Sequence, residues 1–202
     1  MNSPQTLFDT HLPPLAERVR PKTIDEFYGQ GHLVDDGKIL HRLLDQSASF
    51  SMIFWGPPGT GKTTLARMIA KSSDAKIREL SAVSSGVKDL REVITFAKSN
   101  REMGQKTILF IDEIHRFSKS QQDALLHAVE DGTITLFGAT TENPSFEVIS
   151  PLLSRCRVLT LKSLEKSHLQ NILKNVFEKD VILSKSSITI KDSEKDLLIY
   201  SS

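Results

Sequence analysis

Gly56-Pro57-Pro58-Gly59-Thr60-Gly61-Lys62-Thr63 is the stretch that decides the fold. It is a complete G-x-x-x-x-G-K-T loop, preceded by the apolar run Met52-Ile53-Phe54-Trp55 and followed by the helix-patterned Thr64-Leu65-Ala66-Arg67-Met68-Ile69-Ala70. Glycines let the backbone wrap closely around a polyphosphate, so that its N–H groups and the helix N-terminus both point at negative charge. In such a loop Lys62 reaches the β- and γ-phosphates and the Thr63 hydroxyl ligates Mg²⁺. The expected nucleotide-facing residues are therefore Gly56, Pro57, Pro58, Gly59, Thr60, Gly61, Lys62, Thr63 and Thr64. Gly-rich turns before helices are common, but strand–loop–helix context with all four fixed positions is not. The stretch predicts binding of a nucleoside triphosphate.

Outward from the loop, strands alternate with helices. Apolar runs suited to buried strands are Ser51–Trp55, Ile77–Ser81, Thr107–Ile111, Thr133–Gly138 and Arg157–Leu161. Helical spacing marks Lys62–Lys71, then Val87, Leu90, Val93, Ile94 and Ala97, then Ala124, Leu125, Ala128 and Val129. This alternation predicts an α/β fold, a five-stranded parallel sheet with helices on both faces. The Pro-rich residues 1–30 read as an arm lying over the domain, and residues 31–162 as the core. From residue 163 to 202 the character changes. Leu164, Leu169, Ile172, Leu173, Val176 and Phe177 form one helical stripe, with Ser163 as a plausible N-cap, and a second helix begins at Asp192 or Ser193. Because that second helix stops at Ser201-Ser202, these residues read as the start of a small helical lid, cut short.

Composition is that of an ordinary globular protein: 202 residues, 39% hydrophobic and 25% charged. With 26 basic against 25 acidic residues, no global field argues for nucleic acid or a membrane surface. One cysteine, Cys156, excludes an internal disulfide and fits a reducing compartment. The start lacks a basic region and an apolar one, and no window approaches a membrane span, so the expected compartment is the cytoplasm. Cys156 itself reads as a small residue leading into a buried strand.

Further elements bear on chemistry. Ile108-Leu109-Phe110-Ile111 is a strand that delivers Asp112 and Glu113 at its C-terminal end, where ligands bind in open α/β sheets. Asp112 is the expected Mg²⁺ holder, and Glu113 the group that orients or deprotonates the attacking water. Acidic residues also suit a helix start, but downstream of a phosphate loop the pair marks hydrolysis. The strand Ile134–Phe137 leads into Gly138-Ala139-Thr140-Thr141-Glu142-Asn143-Pro144, which offers Thr141 first and Asn143 second as a side chain beside the γ-phosphate. Arg155, ahead of an edge strand, reads either as a surface charge or as a finger inserted into a neighbour's site. His115 is more often a packing or hydrogen-bonding residue than a catalyst, and no second His or Cys stands at zinc-ligand spacing.

Together the phosphate loop, Asp112-Glu113, Gly138–Thr141 and Ser154-Arg155-Cys156 resemble an AAA+ ATPase of the clamp-loader clade. Three stretches are more particular: Pro14–Pro21, His115–Ala124 and Gly138–Glu147. They resemble the replication-associated recombination protein A family (the MgsA/RarA group, with eukaryotic Werner-helicase-interacting relatives) over roughly residues 12–200. The resemblance implies Lys62 and Thr63 as Walker A residues, Asp112 and Glu113 as Walker B, Thr141 as sensor 1, and Arg155 as the trans-acting finger. It implies that the segment around Tyr28-Gly29-Gln30 packs near adenine. A sensor 2 arginine and an oligomerisation domain are expected further on, which implies that this stretch alone turns ATP over weakly.

The activity implied is a DNA-stimulated ATPase, using ATP and Mg²⁺ to remodel DNA or DNA-bound proteins at stalled forks and gaps. Its implied partners are single-stranded, gapped or forked DNA, single-strand-binding protein, and further copies of the full-length chain. Lys88, Arg91, Arg116 and Lys119 are candidates to face a phosphate backbone, or else ordinary solvated helix residues. Gln5-Thr6-Leu7-Phe8 loosely resembles peptides that dock on a bacterial sliding clamp. Alternatives are a clamp-loader ATPase subunit, or a nucleotide-gated binding module with incidental hydrolysis.

Overall fold

The computed structural model describes residues 12–40, 50–186, 188 and 190–200; the Gln5–Phe8 peptide lies outside them. In chain order the main elements are α1 (Leu15–Arg18), α2 (Gly31–Val34), β1 (Met52–Trp55), α3 (Lys62–Ser72), β2 (Lys76–Ser81), α4 (Val87–Glu102), β3 (Thr107–Asp112) and α5 (Lys119–Glu130). There follow β4 (Thr135–Thr140), α6 (Pro144–Glu147), α7 (Ser150–Leu153), β5 (Arg157–Thr160), α8 (Lys166–Lys179) and α9 (Asp192–Tyr200). Two compact units result: Gln30–Ser163 carries the sheet, and the described arm residues up to Gly29 group with the segment from Leu164 on.

All five strands run parallel in the order β2-β3-β4-β1-β5, the expected α/β sheet. Side chains alternate between its faces. Ile53, Leu109, Ile111 and Leu136 join one buried cluster with Leu90, Val93 and Ala97 of α4 and Leu125 and Ala128 of α5. Their neighbours in sequence, Phe54 and Phe137, meet edge to face at 5.8 Å. Helix α3, whose Leu65, Ala66 and Ile69 are buried, packs on β3 and β4. Gly138 keeps the crowded face open, since a Cβ there would lie 2.7 Å from Ile53 Cδ1.

Local signals explain the boundaries. Ser118 opens α5 with a reciprocal capping box: its Oγ accepts the Gln121 N–H while Gln121 Oε1 accepts the Ser118 N–H. At the other end Gly132 turns the chain at φ +71°. The next strand begins at Thr135, two residues later than expected. The Thr133 N–H is taken by Asp131 Oδ1 at 2.8 Å and the Ile134 N–H by the Ala128 carbonyl at 3.0 Å, so both finish the turn. Strand β2 also departs from expectation. It forms in place but is an exposed edge rather than a buried strand, with Lys76, Ile77, Arg78 and Glu79 all in solvent. The other edge, β5, is likewise mostly exposed, so Cys156 leads into an edge strand and is half-buried against the cluster. At the exit of β5 the Gln30 amide pairs with Lys162, donating to its C=O at 2.7 Å and accepting its N–H at 2.8 Å. His32 Nε2 lies 2.9 Å from the Thr160 carbonyl.

In the other unit, α8 begins at Lys166 with Glu165 as N-cap, not Ser163. The Glu165 N–H is taken by the His168 ring at 3.2 Å, and its C=O by the Leu169 N–H. The expected apolar stripe of α8 is half-buried throughout. Arg18 clamps Asp180 through Nε at 2.7 Å and Nη2 at 3.1 Å. Asp180 Oδ1 also accepts the N–H groups of Ile182 and Leu183. That guanidinium, with the two backbone donors, holds the carboxyl at about 2. No helix among the described residues is long and apolar enough to cross a membrane.

Candidate active site

Backbone geometry accounts for each glycine of the loop differently. Gly59 (φ +74°) and Gly61 (φ +92°) occupy the left-handed region. Gly56 is needed for space, because a Cβ there would sit 2.5 Å from the Leu161 carbonyl oxygen. Pro57 and Pro58 have no N–H, so the loop's donors begin at Gly59 and continue into the first turn of α3, whose amides the helix cannot satisfy itself. The Thr60 hydroxyl stiffens the turn by donating to the Pro57 carbonyl at 2.9 Å. The Gly56 N–H donates to the Thr140 carbonyl at 3.2 Å, tying the start of the loop to the end of β4.

Lys62 is buried, and its ammonium donates to the carbonyls of Gly56 (2.7 Å) and Pro57 (2.8 Å). Burial pushes its pKa down, and the nearby charges of Glu113 and Asp112 oppose the shift. Asp112 ends β3 half-buried, and its carboxylate makes no hydrogen bond or ion pair among the described residues. The Thr63 hydroxyl is likewise uncommitted there. A carboxylate and a hydroxyl with unused oxygens form the hard donor set that Mg²⁺ prefers, so these two residues fit the ion.

Glu113 stands next along the chain in a left-handed conformation, φ +52°, ψ +49°. The Thr141 hydroxyl donates to its Oε2 at 3.4 Å, so the ends of β3 and β4 bring these two site candidates together. Asn143, the second candidate on that loop, has its side chain committed elsewhere: it caps α6 by accepting the Ser145 N–H at 3.0 Å. Two neighbours outside the sequence-based set complete the group. Thr140 is fully buried, and His115 Nδ1 lies 3.0 Å from its hydroxyl and 3.2 Å from Glu113 Oε2. No spacing rule announces this contact, because it depends on the turn at Glu113.

Arg155 lies apart from this cluster. Arg155 precedes β5, at the end of the sheet where the strands begin. Its Nη2 pairs with Glu130 at 2.5 Å, and its Nη1 donates to the Pro151 carbonyl at 2.7 Å. Tyr28 and Gly29 belong to the other unit. There the Tyr28 hydroxyl accepts from Asn175 Nδ2 at 2.9 Å, and Gly29 combines φ +77° with a space a Cβ would fill, 2.8 Å from Leu164 Cδ2. Lys88, Arg91, Arg116 and Lys119 are exposed, with Lys88 3.9 Å from Glu92.

Residues 52–164 match the model of the ATPase family associated with various cellular activities. Replication-associated recombination protein A of Escherichia coli (strain K12) is 54% identical over 170 residues, covering 84% of this chain and 38% of that protein. ATPase WRNIP1 of Dictyostelium discoideum is 47% identical over 185 residues, 91% of this chain and 21% of that protein. The chain thus spans less than two fifths of the length of either relative. Among solved structures, the Thermotoga maritima RuvB Holliday junction branch migration motor matches with a TM-score of 0.69 at 30% identity, over 90% of this chain and 59% of that one.

Proposed function

Because the chain belongs to the ATPase family associated with various cellular activities, and groups within it with replication-associated recombination protein A, we propose that it hydrolyses ATP to remodel DNA or DNA-bound proteins at stalled replication forks and gaps. The observation that carries the reading is the meeting of Glu113 and Thr141 at adjacent strand ends, with the Gly56 N–H tied to the same end of β4. A carboxylate at that position can accept a proton from water at the γ-phosphate.

The roles divide as follows. Amides from Gly59 through Thr64 and the Lys62 ammonium bind the phosphates, with Lys62 exchanging the loop carbonyls for phosphate oxygens. Thr63 and Asp112 hold Mg²⁺, which neutralises charge on the phosphate oxygens when bound. Glu113 takes the proton of the attacking water, and Thr141 orients that water or the γ-phosphate. Arg155 from a neighbouring copy stabilises the charge developing on the transferred group. Tyr28 and Gly29 are the residues this reading assigns to adenine. DNA, single-strand-binding protein and a homo-oligomer of the longer protein are the partners this reading implies; a sliding clamp recruited through Gln5–Phe8 is a further one. The relatives' names, and the Holliday junction branch migration motor named in the RuvB structure, support the nucleic-acid side of it.

The test is ATP turnover of the chain with and without gapped or forked DNA, beside Glu113→Gln. Turnover stimulated by DNA and reduced about 10²–10⁴-fold in the variant is the expected result. Parent-level turnover in Glu113→Gln would remove Glu113 from the chemistry.

A further inference from the structure

We propose that His115 is the positioning residue for Glu113 and that it acts through its Nδ1–H; this rests on the reading of Glu113 as the group that activates water. The tautomer follows from counting donors. A threonine hydroxyl has one hydrogen and two lone pairs. The Thr140 hydroxyl donates to the Glu142 carbonyl at 3.1 Å and accepts the Glu142 N–H at 3.0 Å, which leaves one lone pair. That lone pair faces His115 Nδ1 at 3.0 Å, and with the hydroxyl hydrogen on the Glu142 carbonyl the hydrogen between them is the ring's. The other neighbour of Nδ1, Glu113 Oε2 at 3.2 Å, is a carboxylate oxygen and also only accepts. Nδ1 therefore carries a hydrogen that points at the end of β4, and the carboxylate of Glu113 lies 3.2 Å from the same nitrogen.

The backbone is arranged to make this contact. Glutamate rarely adopts the left-handed conformation found at Glu113. The turn is held by the Arg116 N–H donating to the Glu113 carbonyl at 2.8 Å and by the fully buried Ile114. It folds His115 back against the carboxylate two residues earlier, where the imidazole is only 10% exposed. Thr141 donates to the same oxygen, Oε2. One donated hydrogen bond and the close approach of the His115 ring thus both fall on Oε2, and Oε1 has no partner among the described residues. His115 and Thr141 together hold the carboxylate by one oxygen and present the other to water.

Three substitutions separate this role from simple packing. Asparagine can place an amide N–H where Nδ1 stands; glutamine reaches instead toward the Nε2 position; alanine does neither. In His115→Ala and His115→Gln, kcat should fall about 10–100-fold, the usual loss when the partner that orients a functional group is removed. Binding of a fluorescent ATP analogue with Mg²⁺ should stay within about twofold, and His115→Asn should recover most of kcat. Melting temperatures of all three report whether the fold survives. The ring ¹⁵N resonances of His115 give a readout independent of turnover: Nδ1 protonated, Nε2 bare, and the Nδ1 signal displaced in Glu113→Gln. Parent-level kcat in His115→Ala, rescue by glutamine equal to that by asparagine, or an Nε2-protonated ring would overturn the proposal. Loss of turnover in Glu113→Gln beside full turnover in His115→Ala would sink the positioning role alone; full turnover in Glu113→Gln would sink the reading beneath it.

Discussion

The two ends of the sheet handle polar groups in opposite ways. Where the strands finish, Lys62, Thr140, His115 and Glu113 are buried or half-buried and bonded to one another or to the loop. Where the strands begin, Arg155 is 41% exposed and leans on Glu130, beside Phe50, Ser51 and Thr135. Strands of four to six residues separate the ends by roughly 13–20 Å at about 3.3 Å per residue. Arg155 therefore cannot reach a phosphate held by its own loop. On the roles proposed above, one copy brings the candidates for binding and for activating water together at one end of its sheet, while Arg155, the proposed finger, lies at the other. If Arg155 acts in catalysis, it acts on another molecule.

The largest effect expected from this contrast is on Arg155→Ala, with ATP turnover of assembled chains lowered about 10³-fold and nucleotide binding retained. Mixing Arg155→Ala with Lys62→Ala chains should restore part of the rate, since each supplies what the other lacks. Mixtures no faster than either variant would break the comparison, by removing the trans role. Next, Lys62→Ala should weaken Mg²⁺·ATP binding about a hundredfold, the worth of a charged hydrogen bond of ~3 kcal/mol, measured by equilibrium titration. Smaller again is Glu130→Ala. The pair with Arg155 is partly solvated, and such pairs contribute about 0–1 kcal/mol. Freeing the arginine should leave binding unchanged and raise turnover of assembled chains by at most about fivefold; a fall in turnover would show that Glu130 aims Arg155 rather than detains it. The smallest signal belongs to Cys156, beside that arginine. Burial pushes its thiol up to about 12, so at pH 8 it should react with a maleimide only on unfolding, despite the adjacent cation. Fast native labelling would mean that this end of the sheet opens.

Short-range signals were the legible ones. The loop spacing, the carboxylates closing an apolar strand and the alternation of strands with helices all depend on neighbours in sequence, and the sheet follows from them. The run Ile77–Ser81 marks the place of β2 but suggests burial, whereas Arg78 and Glu79 within it are what an edge tolerates and a buried strand does not. Ser163 has the side chain of a cap, yet Glu165 became the N-cap, because the His168 ring binds its N–H. At the site, the meeting of Thr141 with Glu113 followed from two strand ends being adjacent. The place of His115 did not, because it depends on a left-handed glutamate, and only glycine or asparagine announces that conformation in a sequence. Gln122 is a similar case. Its buried amide donates to the carbonyls of Phe117 and Glu147 and accepts the Ile149 N–H, stitching the β4–α7 connection across 27 residues; nothing about a glutamine in a helix foretells three backbone partners.

The pairing of Gln30 and His32 with the exit of β5 has a bearing on solubility. An edge strand presents a row of open N–H and C=O groups on which a foreign strand can grow. Here the outward carbonyl of Thr160 and both backbone groups of Lys162 already have side-chain partners. One glutamine serves as a single rung of a sixth strand, and with the nearby histidine it takes up three backbone groups on which a stray chain would otherwise pair at that corner of the sheet.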